Sequence, residues 1–423
     1  MTPGFLRTLS LLVRRSLAQH RAAAWLTMLS VALATGLSVS VLTIRHQSQE
    51  SFYQGGLGFD AVLGARGSQL QLVLNAVYHL EVSQGNIPYT LYQTIKADPR
   101  VSAAVPIALG DNYYGYRIVG TKLEYFEQAE LADGSQPRLR AGGRLFDPSR
   151  MEGVLGSTAA ARTGLRVGDI FKPYHGLTFQ EGTQHEEEYV VTGIIETTNT
   201  PLDRIILIPI EGIYRMGGHV LRGSGEEYTA QAGKEIDDLH KEVSAVLLKL
   251  KSPQAGLQMA QQINSQGNVA TLAFPVGRVV AELFSKLGWA HAILTVVAYM
   301  TVGVAVTGVA ASLYSTIHGR RRDIAIMRAL GARRRTIFAS IMAESAAICA
   351  GGALLGLGLY AAITMAASQL LQRHVGIAVD ALAWHPALLA TPLAVVLAGT
   401  LAGILPAVQA YRTNVLDNLQ PTT

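Results

Sequence analysis

The sequence predicts an α-helical membrane protein with four transmembrane helices and a large α+β extracytoplasmic domain inserted between the first and the second. Three observations lead there. Four apolar runs are each long enough to cross a bilayer, which takes about 20 residues. One long polar segment, large enough to fold around its own core, separates the first run from the other three. The arginines gather beside the ends of the runs, where positive charge resists translocation. Composition agrees: the 423 residues are 49% hydrophobic and only 15% charged, low for a wholly aqueous protein, and mean hydropathy is positive. Topology accounts for the net charge of +5, so the arginines do not point to nucleic acid. The single cysteine, Cys349, rules out an intrachain disulfide and a thiolate metal cluster.

Residues 1–21 read as an amphipathic helix in the headgroup plane, with Phe5, Leu6, Leu9, Leu12 and Val13 on one face and Arg7, Arg14 and Arg21 opposite. Residues 22–44 form the first span. A cleaved signal peptide is the rival reading, but the run is long for one and no small-x-small site follows. The insert covers residues 45–284. At its near end, Pro88 to Pro99 reads as a helix, followed by strands at Val101–Leu109 and Tyr114–Val119. At its far end, Val243–Leu250 reads as a strand, Gln254–Gln266 as a helix and Val269–Phe274 as a strand. These two pieces can close into one α+β subdomain. Between them, turns alternate with short β-rich runs, which suggests a β-rich lobe inserted at about 120–215.

Pro275 to Leu287 has helical period and leads into the second span, 285–317, so one continuous helix would act as a stiff lever. The third span, 337–371, carries Gly352-x-x-x-Gly356, and the fourth, 386–408, carries Gly399-x-x-x-Gly403. This spacing lets helix backbones approach closely, although glycine is also common in membrane helices. The turn at 372–385 belongs outside and the tail at 409–423 inside.

The loop between the second and third spans, residues 318–335, is the sharpest feature. It holds seven arginines and one acid. Its middle, Asp323 to Leu330, lacks Pro and Gly and can form a short helix, with Asp323 at its start and Gly331 as its stop. Ile326, Met327 and Leu330 fall together on a helical wheel, with Ile324 at their edge. Either the loop docks a soluble cytoplasmic partner, or it lies on the headgroups as an amphipathic turn. In the docking reading, Ile324, Met327 and Leu330 are the buried contacts, and Arg320, Arg321 and Arg328 are the charged ones.

The phrase RRRDIAIMRALGARRRTIF resembles the cytoplasmic loop of the MacB/FtsX/LolC-type ABC transporter permeases. Glu344 and Gly351-Gly352 with Gly356 match the acid and glycine-rich segment that follow that loop. Pro406-Ala407, Arg412 and Leu416 or Leu419 match the family's ending. The resemblance implies a mechanotransmission permease of the type VII ABC superfamily without a fused ATPase. It implies a porter-like domain with an inserted lobe, two permease chains, identical or related, and two copies of a cytoplasmic ABC ATPase that carry the ATP and Mg²⁺. It favours a bacterial inner membrane, cytoplasmic termini and a periplasmic adaptor, lipoprotein or substrate as a further partner.

Motifs of chemistry are sparse. Gly233-Lys234 lacks the upstream glycine of a phosphate loop, so any ATP must bind another polypeptide. His185-Glu186 begins like a zinc-protease motif, but Tyr189 stands where the second histidine is needed. There is no Gly-x-Ser-x-Gly elbow, and the chain reads as a non-catalytic subunit. His175, His185 and Glu186 remain candidate metal ligands; a solvated acidic loop is the plainer alternative. Glu344 is an acid within a span, expensive there and a functional candidate. Its nearness to Arg335 favours an interfacial or helix-pairing role over a proton relay. The functional expectation is an ATP-coupled permease working on a periplasmic substrate or partner. The alternatives are an FtsX-like regulator of a cell-wall hydrolase and a metal-linked uptake or delivery system.

Overall fold

The computed structural model describes residues 3–217, 236–267, 269–286, 288–374 and 379–412. Gly233-Lys234, Leu416 and Leu419 lie outside the described residues, as does Leu287. The chain forms two compact units. One comprises Met1–Gln47, Gly288–Gln369 and Val379–Thr423; the other comprises Ser48–Leu287 and Leu370–Ala378.

The first unit is helical. A helix at Pro3–Gln19 precedes four helices long and apolar enough to cross a membrane. These occupy Arg21–Gln54, Gly288–Gly319, Arg334–His374, and the consecutive pair Ala387–Ala402 and Ile404–Arg412. The first and third exceed the expected spans at both ends. All four meet at one apolar core of Val31, Ala34, Ala305, Val309, Leu313, Ile348, Cys349 and Val395. Large side chains on the opposite faces, among them Leu29, Leu294, Val304, Leu354, Leu393 and Leu397, are exposed. So much contiguous apolar surface is untenable in water and suits hydrocarbon.

The glycine pairs set the helix spacing. A Cβ on Gly352 would stand 2.6 Å from Val31 Cβ and 2.8 Å from the Met28 carbonyl oxygen. One on Gly356 would stand 2.7 Å from Thr35 Cβ, and Gly36 answers it from the first span. The third span therefore lies against the first with almost no side chain between the backbones. Gly399 and Gly403 receive Cys349 and Ser345 of the third span in the same way, and the Ser345 hydroxyl donates to the Gly399 carbonyl at 2.8 Å.

The second unit is built on one large sheet. Its strands are β1 (Ala61–Ala65), β2 (Ile87–Pro88), β3 (Val101–Tyr113), β4 (Tyr116–Thr121), β5 (Glu152–Leu155), β6 (Ile170–Phe171), β7 (Tyr174–His175), β8 (Tyr189–Ile194), β9 (Ile206–Pro209), β10 (Glu242–Val243), β11 (Ala245–Leu250) and β12 (Ala270–Ala273). Ten strands run in the order β12-β1-β11-β3-β4-β9-β5-β8-β6, with β7 added beside β3; β2 and β10 pair separately. All of β1 is buried, which requires cover on both faces. Ala61, Leu63 and Ala65 face one core, shared with the helices at Tyr89–Lys96, Ile210–Arg215 and Pro253–Gln266. Val62 faces the other, shared with those at Gln69–Ala76, Glu124–Gln128 and Val276–Lys286.

β11 pairs with β3 and β12 with β1, which places strands from both ends of the insert side by side. The middle stretch differs from the expectation of a separate lobe. Its strands continue the same sheet, because β9 pairs in parallel with β4. Continuity between the helix at Val276–Lys286 and the second span turns on Leu287, outside the described residues.

Candidate functional site

The basic stretch forms a helix at Arg321–Ala329. Asp323 sits in its first turn and Arg328 in its last, each matching the sign that the helix dipole favours. Its stop is explicit. Gly331 takes φ +96°, its N–H reaches the Arg328 carbonyl, and the Ala332 N–H reaches that of Met327, both at 3.0 Å. This is the Schellman pairing, which needs a left-handed residue where glycine pays no Cβ penalty.

Two faces of this helix have different fates. Ile324 and Ala325 are buried, and Ile324 joins Ile317, Ile337, Ile341, Ala407 and Ala410, with Met327 packed alongside. Enclosing a side chain such as Ile324 contributes about 2 kcal/mol. The opposite face carries Arg322, Asp323, Ile326, Ala329 and Leu330, all exposed; Leu330 is 83% and Ile326 42% accessible. Arg321 and Arg328 are half-buried. The sequence expectation for Ile324 is therefore corrected: it fastens the helix to its own bundle and is not available to a partner. Ile326 takes its place outside, and i, i+4 spacing to Leu330 was the signal for it.

Arg320 needs the same correction. Its side chain is only 20% exposed and turns inward, Nη1 lying 3.6 Å from Glu344 Oε2 and donating to Ser16 Oγ at 2.5 Å. The Ser16 hydroxyl in turn donates to Glu344 Oε1 at 2.5 Å. Four segments meet here. The N-terminal helix brings Ser16, the end of the second span brings Arg320, the basic helix brings Ile324 and Met327, and the third span brings Glu344. They line a partly open cavity of about 30 Å³, large enough for a water molecule. Glu344 thus ties helices together through a hydroxyl and a guanidinium. Ser16 escapes sequence reading, because one serine on an apolar helix face carries no mark of its distant partner. Its burial, with Val13, also shows that the N-terminal helix packs into the bundle along one side.

In the second unit, His175 and His185 come together with a residue that the sequence did not single out, Asp111. Glu186 is exposed and is not among the grouped ligand atoms. Its neighbours hold structural positions: Glu187 accepts from the Gly217 N–H at 2.8 Å, and Glu188 lies 3.2 Å from Lys172. Pro406 and Ala407 lie in the last helix, with Ala407 fully buried.

A helical bundle with four apolar spans and a mixed-sheet domain inserted after the first define a polytopic membrane protein with a large extracytoplasmic domain. The model of the MacB-like periplasmic core domain matches residues 24–266, more than half of the chain, and that of the FtsX-like permease C-terminal region matches 295–415. The chain belongs to the FtsX/MacB-type ABC transporter permeases. Among solved structures it is similar to the periplasmic region of MacB from Actinobacillus actinomycetemcomitans, at 12% identity and TM-score 0.33, covering 54% of this chain and 94% of that one. It is also similar to the extracellular domain of the ABC-type transporter YknZ from Gram-positive bacteria, at 13% identity and TM-score 0.29, covering 50% and 99%. Comparison with curated proteins gave no match.

Proposed function

We propose that this chain is the non-catalytic membrane subunit of an ATP-driven complex in a bacterial inner membrane, with both termini cytoplasmic. A separate cytoplasmic ABC ATPase binds the nucleotide and Mg²⁺, and two permease chains work with two ATPase subunits. The observation that supports this most is the divided basic helix. A helix with Ile324 clamped into the bundle and Ile326 and Leu330 left in the open is built to receive a partner on one side and pass displacement to the spans on the other. Arg322 and the half-buried Arg321 and Arg328 surround the open patch with positive charge, which favours an acidic rim on the partner. From this junction the chain of the second span leads back to the inserted domain, and the work is done there on an extracytoplasmic substrate or partner.

The test replaces Ile326 and Leu330 together by Asp. Because both side chains point outward, membrane insertion and thermal stability should stay within about 0.5 kcal/mol of the parent. Co-purification with the ATPase, and stimulation of its hydrolysis, should fall at least tenfold, about 1.4 kcal/mol. Full coupling in this variant would refute the docking assignment.

A further inference from the structure

We propose that Asp111, His175 and His185 form a binding site for one divalent transition-metal ion of the zinc type. The three residues are far apart in sequence and come from a strand and a hairpin. Asp111 lies in β3 just past a register shift that follows Leu109; such bulges re-aim side chains. β7 lies antiparallel beside it, with His175 directly opposite Asp111. The chain then turns and comes back, so that the His175 N–H donates to the Thr183 carbonyl and the His185 N–H to that of Pro173, both at 2.8 Å. Asn112 fastens the base of this hairpin, donating from Nδ2 to the Gly176 carbonyl at 2.8 Å. Backbone pairing therefore presets all three side chains, as a metal site requires of its scaffold.

The geometry is close to that of a bound ion. Asp111 Oδ1 lies 3.2 Å from His185 Nε2 and 3.5 Å from His175 Nδ1, and the ligand atoms all lie within 4.8 Å of one another. Around a tetrahedral ion with bonds of about 2.1 Å, ligand atoms stand about 3.4 Å apart. Two edges already fit, and the third, between the two imidazoles, is no longer than 4.8 Å. The donor set is two imidazoles and a carboxylate, the chemistry that suits Zn²⁺. Burial is graded: Asp111 and His185 are enclosed, while the His175 side chain is 51% exposed. A carboxylate held away from water calls for a cation or hydrogen-bond donors, and the exposed imidazole gives an ion its way in. Three protein donors leave a fourth position for water or for a donor from a partner, the arrangement of an exchangeable site and not of a closed structural one.

The test uses the full chain, purified in detergent without a polyhistidine tag, and titrates it with Zn²⁺ against a chromophoric chelator and with Co²⁺ by visible absorption. One equivalent should bind per chain, and the Co²⁺ form should show the intense bands of a four-coordinate ion. Asp111→Asn, His185→Gln and His175→Ala should each weaken Zn²⁺ binding by more than roughly 10-fold, the least that even outer-shell changes produce. Glu186→Ala should bind as the parent does. His175→Ala keeps the test decisive if the buried variants misfold, since its side chain is largely in solvent. Absence of stoichiometric binding, or unchanged affinity in His175→Ala, overturns the proposal. Neither result depends on ATPase coupling.

Discussion

Two of the buried carboxylates, Glu344 in the helical unit and Asp111 in the other, are kept in different company. Glu344 meets a guanidinium and a serine hydroxyl contributed by helices. Asp111 meets two imidazoles contributed by a strand pairing and a hairpin. An arginine keeps its proton throughout the accessible range and offers no lone pair, so Arg320 and Glu344 can only be held together or pulled apart. An imidazole can give up a proton and bind a metal instead. The first arrangement is a latch at the point where the basic helix joins the spans. The second is a receptor. A buried acid is thus only half of a functional statement; its partner's chemistry supplies the other half.

The comparison can be broken most forcefully at the latch. Glu344→Ala leaves the Arg320 guanidinium enclosed without its carboxylate, a loss of about 3–5 kcal/mol for a buried pair. Thermal unfolding in detergent should show a large drop in Tm, and Glu344→Gln, which retains a hydrogen-bonding group for Ser16, should show a smaller one. An unchanged Tm in the alanine variant would mean that the pair does not hold the bundle. Next is the close contact between the first and third spans, farther along the third. Gly352→Leu forces a side chain into Val31 and the Met28 carbonyl and should cost about 3 kcal/mol by overpacking, read as loss of folded protein or of compactness by protease resistance.

Acid sharpens the contrast from the other unit. His79 is half-buried there with its Nδ1 shut off from solvent, and burial first, then the charges of Arg117 and Arg204, push its pKa down from 6.5 to about 3. Its folded value lies below its unfolded one, so the stability it contributes is complete above about pH 6.5 and is lost as pH falls towards 3. Each pH unit in that window costs about 1.4 kcal/mol, or about 2 kcal/mol between pH 6.5 and 5. Denaturant midpoints across this range should shift accordingly, and His79→Asn, which tolerates the positive φ at this position, should flatten the slope. A parent profile already flat from pH 7 to 5 would remove His79 from the account.

The smallest expected effect lies at the end of the basic helix. Gly331→Ala places a Cβ on a left-handed residue and should cost about 1 kcal/mol. It touches neither face of the helix, so any larger loss of ATPase stimulation than of stability would show that the helix end itself positions the docking patch.

Much of this was legible from local pattern. The four spans, the place of the insert, the helix at Asp323–Leu330 with its stop at Gly331, and the strands and helix between Val243 and Phe274 each depend on hydrophobic period or turn chemistry within a dozen or so residues. Those signals are written contiguously, so the chain itself determines them. Tertiary structure decided the rest. Only packing against Ile337, Ile341 and Ala407 turns Ile324 inward and leaves Ile326 outside. Only the folded bundle brings Ser16 to Arg320 and Glu344, and only the β4–β9 and β3–β7 pairings merge the middle strands with the rest of the sheet. Nothing in the sequence singles out Asp111; only the hairpin that carries His175 and His185 to it does so. Each of these rests on contacts between residues distant in sequence, and whether a side chain is spent on its own core or left for a partner is settled by what the rest of the chain brings against it.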